Sequence, residues 1–299
     1  MTICLCFTLS MAFGQSEFLK TGSIGTVDKP QAKNKKLYGP VDFRSLDEMI
    51  GEEFIIMPTQ TLLQKYGYTD IYKNDATESL SYKDGVGVVL KFIRHEGYKA
   101  FFQDSLGNHY KIGIYMSCIK DVASLTDLKQ TSKLFLHQRL WVRRSRLTTY
   151  DENTDEEGMV KDVKLEPVSV EGIAVSFNDM APIRLILKTS LGQTGYIDVN
   201  VSGSNLLTDY RNKGTYLFNE AFWTFNPKTK YKYTPAMWAL IKNEKVALGM
   251  TKKQVKLSVG NPDDINYSTY KSGNREQWIF GTKHRYYYYF TNGIFTSQN

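Results

Sequence analysis

Residues 104–117 read DSLGNHYKIGIYMS, and residues 189–202 read TSLGQTGYIDVNVS. Ser105-Leu106-Gly107 matches Ser190-Leu191-Gly192, and Ile112, Ile114 and Met116 match Ile197, Val199 and Val201. These apolar positions alternate, which is the period of a strand with one buried face. Leu-Gly-Asn and Leu-Gly-Gln supply turns in which a positive φ is tolerated. The match extends upstream at the same offset, where VGVVLKF (86–92) lines up with EGIAVSF (171–177). A further apolar run precedes each copy, EEFIIMP in one case and QRLWVRR in the other. The pattern predicts two copies of one small β unit, over residues 49–121 and 137–233. Each is expected to be a curled sheet or small barrel of about five strands. Two copies are too few for a solenoid, so they are expected to pack on each other. VASLTDLKQ (122–130), between them, reads as a short helix capped by Ser124 or Thr126.

The chain past residue 234 has a different grammar. In GMTKKQVKLSVGNPDD (249–264), Thr251 and Gln254 form a T-x-x-Q capping box, which satisfies two orphan N–H groups at a helix start. Val255 and Val259 give an apolar stripe, with Met250 and Leu257 at its edges. Gly260 and Pro262 stop the helix. Lys252, Lys253 and Lys256 fall on the face predicted to be wet. Thr234-Pro235 starts an earlier helix by the same logic, with Met237, Leu240 and Ile241 as its stripe. Beyond Asp264 the period becomes two, and EQWIFG (276–281), RYYYYF (285–290) and GIFTSQ (293–298) read as strands. Asn292-Gly293 is a strong hairpin signal. Residues 234–299 are therefore expected to be two helices laid over a three-stranded antiparallel meander, which makes the whole chain α+β.

The motif GMTKxxV, followed by GxP, WxF and FxNG, resembles the SmpA/OmlA (BamE-like) family, whose fold is shared with β-lactamase-inhibitor-like domains. The residues that carry the resemblance are Leu248 to Val255, Val259-Gly260-Asn261-Pro262, Glu276, Trp278, Phe280, Phe290, Asn292 and Gly293. They cover roughly a fifth of the chain. The resemblance implies a cell-envelope protein that acts through contacts, in outer-membrane assembly or by binding partner proteins, and it implies no catalysis. The layout as a whole resembles exported Bacteroidetes proteins.

Composition agrees with a folded, β-leaning chain. Of 299 residues, 41% are hydrophobic and 23% charged, enough to bury real cores. The 20 Tyr and 16 Phe favour strands and contact surfaces. A net charge of +7 favours solubility or attraction to an anionic surface, and no Lys/Arg block points to nucleic acid. Residues 1–14 are apolar and uncharged and end Ala12-Phe13-Gly14, which reads as a signal peptide, with residues 15–48 as a flexible leader. Export to the periplasm or outer membrane follows from that reading. Cleavage would leave Cys118 alone, so it is expected to be a buried small hydrophobe.

No H-E-x-x-H, G-x-S-x-G, P-loop or dinucleotide fingerprint occurs. No catalytic residue, metal site or cofactor is assigned, and the four histidines are scattered. DENTDEEGMVKD (151–162) starts like a calcium loop, but Glu156 stands where glycine is required, so an acidic hairpin loop is expected. In the run Tyr286 to Tyr289, alternation sends Tyr287 and Tyr289 away from the helices. The candidate partner surface is therefore Tyr287 and Tyr289 with Lys252, Lys253 and Lys256. The expected function is non-enzymatic and works by protein contact, with an envelope protein as partner. A carbohydrate-binding or hydrolase accessory module that uses surface aromatics is the alternative.

Overall fold

The computed structural model describes residues 44–299, except 59–70, 75, 77, 116–117, 152–153, 155, 204–216, 271–272 and 282–283. The expected signal peptide and almost all of the leader lie outside the described residues. So do Met116, Asn153, Asp155 and residues 206–216.

The first unit opens with α1 (Leu46–Met49), whose Ser45 and Glu48 form a capping box. It continues with β1 (Glu53–Ile56), β2 (Ile71–Lys73), α2 (Tyr82–Gly85), β3 (Val89–Glu96), β4 (Lys99–Gln103), β5 (His109–Tyr115), β6 (Cys118–Ile119) and β7 (Val122–Ser124). Then comes α3 (Leu125–Phe135), capped by Ser124, whose Oγ accepts from Asp127 N at 3.3 Å. The second unit holds β8 (Arg139–Val142), β9 (Arg146–Asp151), β10 (Glu156–Lys161), β11 (Pro167–Val175), β12 (Ile183–Thr189), β13 (Thr194–Val199), α4 (Phe218–Ala221) and β14 (Phe222–Trp223). The chain ends with α5 (Pro227–Lys230), α6 (Pro235–Lys242), α7 (Lys252–Val259), β15 (Asp264–Tyr270), β16 (Gly273–Phe280), β17 (Tyr286–Thr291) and β18 (Ile294–Gln298).

The first sheet runs β2-β5-β4-β3-β1-β7, and the second runs β10-β9-β13-β12-β11-β8-β14, all in antiparallel pairs. With β6 and β10 set aside, each strand of one sheet has a counterpart at the same place in the other. The two β-hairpin turns also match. Gly107 N donates to Asp104 O (3.2 Å), and Gly192 N to Thr189 O (3.0 Å). Both glycines sit at positive φ, +85° and +81°, where a side chain would be strained.

β1, a strand of the first sheet, contributes side chains to the cores of both units. Phe54 and Ile56 pack into the first core with Met49, Leu90, Phe92 and Phe102. Ile55, on the opposite face, packs into the second core with Ala123, Leu128, Val170 and Leu185. Alternation along this one strand therefore feeds both cores. Asp179 ties the two units again: its carboxylate pairs with Lys120 and accepts from Asp121 N at 2.8 Å.

The α+β expectation is corrected here. The protein is mainly β, built on three sheets with mostly short helices, and its C-terminus is a β meander rather than a two-helix domain. The meander has four strands in sequential order, β15-β16-β17-β18, not three. In β15 only Ile265 and Tyr267 alternate with polar residues, too short a run to mark a strand in the sequence. α6 and α7 have eight residues each, about two turns, too little to form a layer. Their buried side chains are also divided. Val255 joins Trp278, Phe290 and Phe295, whereas Trp238, Ile241 and Leu257 pack with Leu165 and Trp223 of the second unit. Met237 and Leu240, expected to lead the α6 stripe, are only partly buried. Each of the first two sheets has seven strands rather than about five, and among the described residues neither closes on itself, so of the curled sheet and the small barrel it is the barrel that is corrected.

Candidate functional site

The capping box of α7 orients its lysines. Thr251 Oγ1 accepts from Gln254 N (3.3 Å), and Gln254 Oε1 accepts from Thr251 N (2.8 Å). The three lysines expected on a wet partner surface stand at the surface, Lys253 exposed and Lys252 and Lys256 half-buried, and each also makes a contact within the chain. Lys252 Nζ pairs with Glu276 at 2.7 Å. Lys253 Nζ lies 4.1 Å from the Tyr231 ring centroid, and Lys256 Nζ lies 5.3 Å from that of Trp278. Burial would raise the Glu276 pKa. Its bonds from Lys252 and from the Trp278 indole N–H (3.0 Å) outweigh that and hold it below the usual carboxylate range. The sequence suggested a lysine face, but apolar periodicity cannot show where a long cationic side chain bends.

The tyrosine strand divides between two faces. Phe290 is buried and Tyr288 packs against the core cluster on the helix side, where Tyr286 stacks on Phe280 at 5.2 Å. Tyr287 and Tyr289 lie on the other face and are half-buried. There Tyr289 Oη accepts from Gln277 Nε2 (3.1 Å), and Gln277 Oε1 accepts from Asn266 Nδ2 (2.9 Å). Strand register puts these three in one row, Asn266↔Gln277↔Tyr289, with Ile279↔Tyr287 beside it. The result is a flat polar-aromatic face with its amides held in line.

The chemistry-bearing groups elsewhere are spent on structure. Arg184 is 1% exposed, donates to both oxygens of Asp198 (2.7 and 2.8 Å) and lies 3.6 Å from the Tyr196 ring centroid. Cys118 borders an open cleft of about 450 Å³, together with Tyr115, Lys120, Phe177 and Asp179. Burial pushes its thiol up to about 12, which keeps it protonated and unreactive as a nucleophile near neutral pH. No group of three or more His, Cys, Asp or Glu residues positioned for a metal occurs among the described residues.

One surface carries no motif. On the outward face of the first sheet, register aligns Tyr72, Lys111, Phe101 and Arg94 in a row across four strands. Lys99 and Lys111 hold their ammoniums 5.5 and 5.1 Å from the Tyr72 ring centroid. The Arg94 guanidinium lies 3.8 Å from that of Phe101. No local signal in the sequence marks this row, because only strand pairing brings Tyr72, Lys111, Phe101 and Arg94 together.

No family model, curated protein or solved structure matches the chain.

Proposed function

We propose that this protein is a non-enzymatic, exported cell-envelope protein that works by binding partner proteins, with the outer face of the meander as a contact surface. The observation that carries this reading is the row Asn266–Gln277–Tyr289 beside Tyr287: aligned amides and half-exposed rings on a rigid sheet. Tyrosines fixed by neighbours lose little freedom on binding and bury much area, which is why such residues dominate contact energies. The SmpA/OmlA-like motif supports the same reading, since that resemblance implies contact rather than catalysis. The amides of Asn266 and Gln277 next to the rings also favour a second reading, a carbohydrate-binding face, because sugars take up both hydrogen bonds and ring contact.

The test is photo-crosslinking from position 287 in envelope fractions, with Tyr289→Ser as the weakening variant. A discrete protein crosslink lost in that variant is expected. A crosslink pattern unchanged by the substitution would remove the meander face from the reading, and specific retention on a glycan array would favour the carbohydrate alternative.

A further inference from the structure

We infer that β15 (Asp264–Tyr270) is a pairing edge for a second copy of this chain, joining two meanders into one continuous antiparallel sheet about a two-fold axis at Tyr267. The edge is distinct from the outer face that carries Tyr287 and Tyr289, and its pairing does not require that face to bind anything.

The hydrogen-bonding pattern leaves one side of β15 open. Its ladder to β16 runs without a register shift from Asp264↔Ile279 to Tyr270↔Gly273, where the hairpin closes. Bonded and unbonded pairs alternate from that closing pair. Asp264, Asn266 and Ser268 therefore bond to β16, while Ile265, Tyr267 and Thr269 turn their N–H and C=O groups outward. The Ile265 N–H agrees with that direction, because the exposed Asp264 carboxylate accepts it at 2.8 Å. Among the described residues no other strand pairs with β15. The opposite edge of the same sheet is covered. Gly249 N donates to Phe295 O (3.0 Å), Phe295 N to Met250 O (2.8 Å) and Lys252 N to Gly293 O (3.2 Å).

Sheet edges are usually guarded by charge, shortness, bulges or cover, because a bare edge is a template for another strand. β2, β7 and β14 are two or three residues long. β10 is longer and carries Glu156, Glu157 and Lys161. β15 has seven residues, no Lys, Arg or Pro, and one charge, Asp264, at its end. Tyr267 is 71% exposed, so nothing among the described residues covers the middle of this edge.

The strand fits itself. Turned antiparallel about Tyr267, a second β15 sets the partner's Thr269 opposite Ile265, the partner's Ser268 opposite Asn266 and the partner's Tyr267 opposite Tyr267. Each outward residue then meets an outward residue, which no other antiparallel register achieves for all three. No like charges face each other, because the partner's Asp264 lies at the far end, opposite Tyr270. The two Tyr267 rings fall on one face as an aromatic cross-strand pair. β16 already orders β15 on one side, so little chain entropy is lost on pairing. Ile265 N–H exchanges its Asp264 carboxylate for a carbonyl of the partner. Seven residue pairs fall short of the roughly 1,200 Å² of a stable interface, so the dimer is a weak one that forms at micromolar concentrations.

The experiment is analytical sedimentation of the full-length chain from about 1 to 300 µM, where a concentration-dependent dimer is expected. Tyr267→Lys and Tyr267→Glu each set like charges face to face across the axis and should weaken the dimer about tenfold. Mixed in equal amounts, the two variants should associate to within about threefold of the parent chain, because opposite charges then meet. That recovery separates a broken interface from a misfolded variant. Tyr98→Lys, at a turn residue 82% exposed, adds the same charge elsewhere and should leave the dimer within about twofold. A chain that stays monomeric over the whole range, or a dimer that Tyr267→Lys leaves intact, would overturn the proposal. Equal weakening by Tyr98→Lys would reduce the effect to net charge and overturn it too. Failure of the mixture to recover would overturn the self-facing register. A monomer whose Tyr267 and Thr269 amides gain hydrogen-exchange protection only in envelope extract would give the edge to another protein and overturn the choice of a second copy.

Discussion

Tyr110 and Tyr196 set an alkaline limit on this fold. Burial raises both phenols from 10.0 to about 12, and for Tyr110 the bond to Asp104 adds to the shift. A raised folded-state pKa means that the neutral form stabilises the fold fully below about pH 10. That contribution is lost as pH rises through about 12. The Cys118 thiol, raised from 9.0 to about 12, acts in the same direction. The urea midpoint is therefore expected to fall steeply between pH 10 and 12, and less steeply in Tyr110→Phe. An unchanged slope in that variant would mean that Tyr110 is not one of the groups responsible. Gly195 poses a steric test at the same scale. A Cβ there would stand 2.8 Å from Leu147 Cβ and 2.9 Å from the Thr148 carbonyl oxygen. Backbone cannot swing aside as a side chain can, so Gly195→Ala should cost about 1–3 kcal/mol in urea unfolding. The sequence did not mark this glycine, because only the pairing of β13 with β9 brings Thr148 against it.

Elements were legible in proportion to their local signals. The caps of α3, α6 and α7 are spelled out in four residues each, and Ser124, Thr234 and Thr251 occupy those positions with the expected bonds. Thr251→Ala should cost about 1 kcal/mol, read as a lower urea midpoint with an unchanged slope. A loss near zero would mean that packing of Val255 and Leu257, and not the cap, holds α7 in place. β15 shows the opposite case. Its Asn, Ser and Thr residues carry no hydrophobic period, and it exists as a strand because β16 offers it a full ladder from Asp264↔Ile279 to Tyr270↔Gly273. The class assignment failed for a related reason: cap signals report that a helix starts, but not that it will be too short to form a layer.

At the scale of the molecule, the joints between units are polar as well as apolar. Asp179 links the first two by two different bonds, and they can be separated. Asp179→Asn keeps an acceptor for Asp121 N but loses the charge opposite Lys120, which is 40% exposed, so it should cost under about 1 kcal/mol. Asp179→Ala also leaves the Asp121 N–H without its acceptor and should cost about 1–3 kcal/mol. Equal losses in the two variants, measured by urea unfolding, would show that the hydrogen bond to Asp121 contributes nothing to the joint. Between the second unit and the C-terminal segment, Lys164 is the counterpart. It is 3% exposed, bonded to the Ser258 carbonyl and 3.3 Å from Glu244, and burial lowers its pKa.

The sequence by itself determined the strands of alternating pattern, the matched glycine turns and the helix caps. Each of these is an interaction between residues a few positions apart, so its cause lies within a short window. Only the tertiary structure decided that α7's lysines reach Glu276, Tyr231 and Trp278, that Ile55 and Phe54 serve different cores, and that Tyr72, Lys111, Phe101 and Arg94 meet in one row. Those outcomes depend on which strands pair and in what register, and residues far apart in the chain set both.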